Sequence, residues 1–264
     1  MADITGIQWT DSTFNPWWGC TKVAPGCDHC YAAALDARTG GNHWSSAPRM
    51  MSIENWKKPL RWNRMAERSG VRHKVFCGSM CDWTDKLAPE GQLERLWGLI
   101  RTTPMLDWQL LTKRAPNIIK SLPADWGNGY DNVWLGVTVE NRQHGLPRVE
   151  HLRDIPAKIR FLSVEPLLED LGNIDLTGIH WVIVGGESGS RARPMDTAWC
   201  ERLVAQCREQ RVAVFFKQWG GRHADKGGCK IAGTEIKEFP LQDTVIQDVM
   251  KFRNRLLRRS NTSD

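Results

Sequence analysis

Three thiols lie close together in the stretch Asn15–Ala32, which reads Asn-Pro-Trp-Trp-Gly-Cys-Thr-Lys-Val-Ala-Pro-Gly-Cys-Asp-His-Cys-Tyr-Ala. Cys20, Cys27 and Cys30 are spaced C-x6-C-x2-C, with Gly19, Pro25 and Gly26 among them to bend the backbone. Soft thiolates gathered in this way select an iron–sulfur cluster or zinc. A structural zinc site takes four protein ligands. A [4Fe–4S] cluster on four cysteines is coordinatively closed and moves electrons. A cluster on three cysteines leaves one iron open to a substrate or cofactor. For zinc, the fourth donor would come from His29, His73, Cys77 or Cys81. His29 adjoins Cys30, so joining both to one metal would strain the backbone. Cys77 is expected in the core and Cys81 at a rim, while Cys200 and Cys207 are expected to be buried on one helix.

The elements that must hold this loop alternate in kind. Apolar runs of strand type occur at Lys74–Ser79, Trp108–Thr112, Val133–Thr138, Ile159–Val164, His180–Val184 and Val212–Lys217. A short strand near Ile7–Thr10 is expected to feed the cysteine loop. Helix patterns fall between most of the runs. Leu93, Leu96, Trp97 and Ile100 share a helical face, as do Trp199, Leu203 and Cys207 behind Asp196, a candidate N-cap. Tyr31–Arg38 is rich in helix formers, which puts Cys30 at a helix N-terminus, where the positive end favours an anionic thiolate or cluster. Strand and helix in alternation mean parallel βαβ units. The expected fold is α/β, a parallel (β/α) barrel, partial or irregular, of six to eight strands in a single domain over residues 1–240. A doubly wound open sheet is the alternative. Residues 241–264 are expected as an amphipathic basic helix and tail.

Polar or charged residues stand at each strand exit, including Asp82, Lys113, Glu140, Glu165, Glu187 and Lys217. In a parallel barrel these exits converge on one rim, where an active site is built. Turn chemistry alone accounts for polar residues at strand ends, but not for charge at most of them. Met51–Arg68 is basic and aromatic. It reads as a nucleic-acid groove or, more commonly for such patterns, as an amphipathic helix burying Trp56 and Leu60.

The chain of 264 residues is 41% hydrophobic, enough for a sizeable core, and no apolar run is long enough for a membrane span. Its first residues lack the basic-then-apolar pattern of a secretory leader, so a cytoplasmic location and reduced thiols are expected. The net charge of +6 favours an anionic partner, nucleic acid first. The fourteen tryptophans are expected mostly in the core or in pocket walls, with a few free to stack on a planar substrate.

The three-cysteine loop ahead of a parallel barrel resembles the radical S-adenosylmethionine superfamily, although its first spacing is longer than the usual C-x3-C-x2-C. More closely, the chain resembles a phage-associated three-Cys-motif family of unknown function. The matching stretches are Asn-Pro-Trp-Trp-Gly-Cys at 15–20, Gly-Cys-Asp-His-Cys-Tyr-Ala at 26–32, Gly-Ser-Met-Cys-Asp at 78–82 and Leu-Leu-Thr-Lys-Arg at 110–114. They continue with Trp-Leu-Gly-Val-Thr-Val-Glu-Asn at 134–141, Phe-Leu-Ser-Val-Glu-Pro-Leu at 161–167, Val-Gly-Gly-Glu-Ser-Gly at 184–189 and Phe-Lys-Gln-Trp-Gly at 216–220. The resemblance implies a [4Fe–4S] cluster on Cys20, Cys27 and Cys30, with its open iron chelating S-adenosylmethionine. Reductive cleavage of the sulfonium would then yield methionine and a 5′-deoxyadenosyl radical that takes hydrogen from a substrate. It implies that Gly78, Ser79 and Met80 hold the methionine amino group, with Asp82 as acidic acceptor. Glu140, Ser163 and Glu165 are candidates for ribose or carboxylate contacts. Lys113, Arg114 and Lys217 would face an anionic substrate or the cofactor carboxylate, and Cys81 would donate a hydrogen atom or sit as an inert buried thiol. The Gly-Gly-Glu at 185–187 falls on a later strand than the superfamily's, so it receives no role.

Three functions follow. The first is a radical enzyme modifying or repairing a nucleic acid or nucleotide, served by an electron-donor protein. The second is a zinc- or cluster-stabilised nucleic-acid binding protein without catalysis. The third is a radical enzyme acting on a protein or small metabolite.

Overall fold

The computed structural model describes residues 5–223 and 225–240. Seven strands form one sheet: β1 (Ser12–Phe14), β2 (His73–Cys77), β3 (Leu106–Thr112), β4 (Val133–Thr138), β5 (Ile159–Val164), β6 (Trp181–Gly185) and β7 (Ala213–Gln218). They lie side by side in chain order, and every neighbouring pair is parallel. Right-handed crossovers that never reverse direction put the crossover helices on one face and curl the sheet around the other. The fold is therefore the partial barrel that the strand–helix rhythm predicts, and the doubly wound alternative is excluded by the strand order.

β1 and β7 are the two edges of this half-barrel and do not pair. The segment 236–239 bridges them at one end. It runs along β7, with Phe216 N–H donating to Ile236 O and Glu238 N–H to Val214 O. From there the Lys237 ammonium donates to the Gln8 side chain at 2.7 Å, and the Lys74 ammonium lies 5.1 Å over the Phe239 ring.

Alternation along the strands separates two layers. Outward residues such as Val75, Leu110, Leu135, Leu162, Val182 and Val214 join the helices in the larger core. Of the helices, α1 (Tyr31–Arg38) contributes nothing to this core. Those that do are α2 (Ile53–Ser69), α3 (Gln92–Arg101) and a short turn at Ile118–Ser121, followed by α4 (Arg142–Arg153) and α5 (Thr197–Glu209). Inward residues form a second, aromatic core of Trp9, Phe76, Trp134, Phe161, Trp181 and Phe215. Trp181 lies 5.7 Å from Trp134 and 6.2 Å from Trp9 and Phe215. Gly136 makes room for it: a Cβ there would stand 2.3 Å from the Phe161 ring. Two residues further along the same inward rows the character changes to Thr138, Ser163 and Lys217. The half-barrel is thus packed with rings at one end and polar at the other.

Local expectations met different outcomes. The helix at Tyr31–Arg38 and the Asp196 cap are present, the latter accepting from Ala198 N–H at 2.8 Å. The basic stretch 51–68 forms α2, which buries Trp56, Pro59 and Trp62 against the core. Ten tryptophans are buried, so the core reading of that residue type prevails. The first strand lies at Ser12–Phe14, not at Ile7–Thr10. The reason is that side chains before β1 take up the backbone of β2: Asp11 Oδ2 accepts from Lys74 N–H, and Thr10 Oγ1 accepts from Phe76 N–H. Trp9 meanwhile turns into the aromatic core. No described helix is long and apolar enough to cross a membrane. The helix expected over Asp243–Arg259 lies outside the described residues.

Candidate active site at the mouth of the half-barrel

A cavity of about 610 Å³ opens where the strands end. Cys20, Cys27 and Cys30 all line it, together with Gly78, Ser79, Met80 and Cys81 from the turn after β2. Lys113, Thr138, Ser163, Glu165 and Lys217 line it from β3, β4, β5 and β7. The loop that carries the cysteines is held at two places by charged side chains.

The first hold is on Cys20 and Thr21. Arg114, at the exit of β3, is buried between Asp82 and Asp85, with N–O distances of 2.8 and 2.9 Å. The same guanidinium donates to Thr21 O at 2.6 Å, to the Thr21 hydroxyl, and to Cys20 Sγ at 3.5 Å. Asp85 also accepts from Thr21 N–H at 2.8 Å. Burial, reinforced by Asp82, pushes the Cys20 thiol up to about 12, and Arg114 opposes that shift.

The second hold is on Pro25 and His29. Glu187 follows β6 in the Gly-Gly-Glu segment and accepts from Arg193 twice, at 2.6 and 2.9 Å, and from Arg193 N–H at 2.9 Å. The His29 ring nitrogen lies 2.9 Å from the same carboxylate, and Arg193 also donates to Pro25 O at 3.0 Å. Burial alone would raise the Glu187 carboxyl, but the Arg193 and His29 hydrogen bonds outweigh it and draw the group down to about 2.

Asn15 shapes the turn after β2. Its amide donates to Ser79 Oγ at 2.9 Å and accepts from Met80 N–H at 2.7 Å. Gly78 takes φ +98°, a left-handed conformation that glycine adopts without strain. Tyr31 OH donates to Ser79 O at 2.8 Å, tying α1 to this turn. Cys81 is buried at the cavity wall, and burial raises its thiol well above the ordinary value. Across the cavity wall, Lys217 and Glu165 form an ion pair at 2.9 Å, with Ser163 Oγ 3.4 Å from the other Glu165 oxygen. The Thr138 hydroxyl is buried with no hydrogen-bond partner.

Three sequence expectations need correction. Asp82 lines the cavity, but its carboxylate already accepts from Thr84, Thr112, Lys113 N–H and Arg114, which leaves it structural. Arg114 turns toward the cysteine loop instead of a substrate. Glu140 is fully buried, is paired with Arg148 at 2.6 Å, and is absent from the cavity wall. Cys77, Cys200 and Cys207 are buried in the larger core as expected. Sequence reasoning missed Asp85 and Arg193 as loop-holding residues and Asn15 as the residue that shapes the turn after β2, and it gave Glu187 no role. The one available hint was that Asn15 opens the cysteine stretch and Asp85 follows the segment 78–82, both already singled out for chemistry.

A three-cysteine loop strapped over the polar end of a parallel half-barrel defines the class of this protein. The chain belongs to the family described as "Protein of unknown function (DUF5131)", whose model matches residues 4–255. No curated protein matches it. Among solved structures it is similar to spore photoproduct lyase. One mutant, with bound AdoMet and dinucleoside spore photoproduct, shares 10% identity at a TM-score of 0.43, covering 78% of this chain and 65% of that one. A second mutant, with the dinucleoside spore photoproduct, shares 12% at 0.42, covering 73% and 59%. A third shares 12% at 0.45, covering 97% and 78%. The chain thus spans less than two thirds of the first two, and at such identity no residue's role passes from them to this chain.

Proposed function

We propose that the protein is a radical S-adenosylmethionine enzyme acting on a nucleic acid or nucleotide. The observation that carries this reading is that Cys20, Cys27 and Cys30, and the turn 78–81, line one cavity at the polar end of a parallel half-barrel. The donor set fits a [4Fe–4S] cluster, which spreads its thiolates over separate irons and leaves one iron open. Among the described residues, no group of three or more His, Cys, Asp or Glu is already gathered to hold a metal ion, so the cluster reading rests on the number and type of the thiols. Bound here, the cluster and S-adenosylmethionine would supply reductive cleavage of the sulfonium and hydrogen abstraction from substrate.

The chain's own residues have the remaining work. Arg114 and Asp85 fix the backbone at Cys20, while Glu187 and Arg193 fix it at Pro25 and His29. The backbone of Gly78, Ser79 and Met80 is the proposed seat of the cofactor's amino group, with Ser163 and Glu165 meeting its polar atoms from β5. Cys81, kept protonated by burial, has a hydrogen atom to give to a substrate radical. Lys113, unpaired among the described residues, presents a cation to the substrate from the wall, and Lys217 stands there paired with Glu165, its ammonium a proposed further contact. An electron-donor protein completes the reaction.

Anaerobic reconstitution with iron and sulfide tests this. Four irons per chain and an electron paramagnetic resonance signal that moves on adding S-adenosylmethionine are expected, with both lost in Cys27→Ala. One tightly held zinc, no iron and no response to S-adenosylmethionine would sink the reading.

A further inference from the structure

Three carboxylates line the cavity, and each is ion-paired. Asp82 is paired with Arg114 at 2.8 Å and Glu165 with Lys217 at 2.9 Å. Glu187 is paired at 2.6 Å with Arg193, which stands just behind the wall. Arg114 is shared with buried Asp85 at 2.9 Å, so this set leaves one negative charge over. What remains on the wall is Lys22, Lys113, Arg222 and Lys226, with His223 beside them. Among the described residues, none of these is ion-paired with a carboxylate. The cavity therefore carries an uncompensated positive field, which a low-dielectric concavity concentrates.

The proposed cofactors do not balance it. The oxidised cluster on three thiolates is a monoanion and S-adenosylmethionine, with a sulfonium and an ammonium against one carboxylate, is a monocation, so the two offset each other. The excess is left for the substrate. The four cations come from three separate segments: the cysteine loop (Lys22), the exit of β3 (Lys113) and the loop after β7 (Arg222 and Lys226). Cations spread over three segments match a run of phosphates, and a phosphodiester backbone offers one anion per nucleotide. Two aromatic side chains line the same cavity from its outer part, half-buried Trp44 and exposed Tyr31. Cations that follow a backbone, interleaved with rings on which bases stack, are what a single strand of nucleic acid requires. A base must also leave its duplex stack to enter a cavity of about 610 Å³.

Resting on the reaction proposed above, we infer that the substrate is a single-stranded or locally unpaired phosphodiester chain. Its backbone crosses Lys22, Lys113, Arg222 and Lys226, and one nucleotide is delivered into the cavity past Tyr31 and Trp44. A free mononucleotide or nucleoside triphosphate is not the substrate.

The test is fluorescence anisotropy with a fluorescein-labelled 12-nucleotide single strand and the full chain, across a salt series. Mononucleotide, nucleoside triphosphate and matched duplex serve as competitors. The strand is expected to bind, the duplex to compete less well, and the mononucleotide and triphosphate not to displace it at equal phosphate concentration. The slope of log Kd against log salt is expected to fall by about 0.7 for each cation removed in Lys113→Gln and Arg222→Gln, singly and together. Circular dichroism confirms the fold of each variant. Equal displacement by the triphosphate, or an unchanged slope in the double variant, overturns the inference. Iron content and S-adenosylmethionine binding are measured on the same preparations. Protein that holds both but binds no strand overturns this inference and leaves the cofactor reading intact. Protein that binds the strand with the expected slopes but loads no cluster supports the inference and sinks that reading.

Discussion

The two ends of the cysteine loop are held by the same kind of chemistry in different surroundings. At Cys20 and Thr21 the holding side chains are sealed in: Arg114, Asp82 and Asp85 are 8, 7 and 4% exposed. At Pro25 and His29 the carboxylate of Glu187 is 6% exposed, but its partner Arg193 is 30% exposed. The first hold is therefore part of the rim of the sheet, where water cannot replace a lost partner. The second reaches into solvent on one side, where water can. The difference predicts a loop with a fixed end at its first cysteine and a more yielding end at its second and third.

The largest effect is expected from Arg114→Met. It leaves Asp82 and Asp85 buried without their cation, and such losses typically cost about 3–5 kcal/mol. Anaerobic urea unfolding measures it. A loss below about 1 kcal/mol would mean that the sealed hold is not what stabilises this end.

Glu187→Gln is expected to cost less, roughly 1–3 kcal/mol, because Arg193 remains hydrated when its partner is weakened. It also separates the two ends. Alkylation of the metal-free protein, read by mass spectrometry, should accelerate at Cys27 and Cys30 and stay unchanged at Cys20. Equal acceleration at all three thiols would show that the loop moves as one piece and would remove the distinction.

The second hold also carries a pH signature. The Glu187 carboxyl is drawn down to about 2 in the folded protein, from about 4.3 when unfolded. Its contribution is fully present above the unfolded value and is lost as the pH falls toward 2, amounting to on the order of 2 kcal/mol. The difference in Tm between the wild-type protein and Glu187→Gln should be constant above about pH 5 and shrink as the pH is lowered through that window. A gap undiminished at about pH 2 would assign the stabilisation to packing.

The smallest effect is expected at the Glu165–Lys217 pair, which holds neither end of the loop. Lys217→Met should change stability by about 1 kcal/mol or less, in keeping with a partly solvated pair, and should leave the alkylation pattern unchanged. A change in the reactivity of any of the three thiols would tie this pair to the loop after all.

Much of the scaffold could be read without coordinates. Runs such as Val-Trp-Leu-Gly-Val-Thr and Trp-Val-Ile-Val-Gly are strands because branched and aromatic side chains suit a sheet buried on both faces, and their order forces parallel crossovers. The three cysteines, the helix that follows Cys30 and the cap at Asp196 are local features, and each appears where the residues put it. The first strand did not, because Thr10 and Asp11 exchange ladder bonds for side-chain bonds to a strand more than sixty residues away.

The polar site is where sequence reading stopped, and the reason is distance along the chain. Charged residues at the strand exits are visible, but their partners are not. Asp85 reaches Thr21 across 64 positions, Arg114 reaches Cys20 across 94, and Arg193 reaches Pro25 across 168. Periodicity records which face a side chain takes on its own element. It carries no record of which remote charge will lie opposite once the sheet curls. Thus Lys113 and Glu140, alike in the sequence as charged residues leaving a strand, part company in the fold. Lys113 stands on the cavity wall, whereas Glu140 is sealed against Arg148. The residue types and their spacing determined that a thiol-bearing loop would sit on a parallel α/β scaffold. Curvature of the sheet, which brings the ends of β3 and β6 to opposite ends of that loop, decided which charges hold it and which stay free for a ligand.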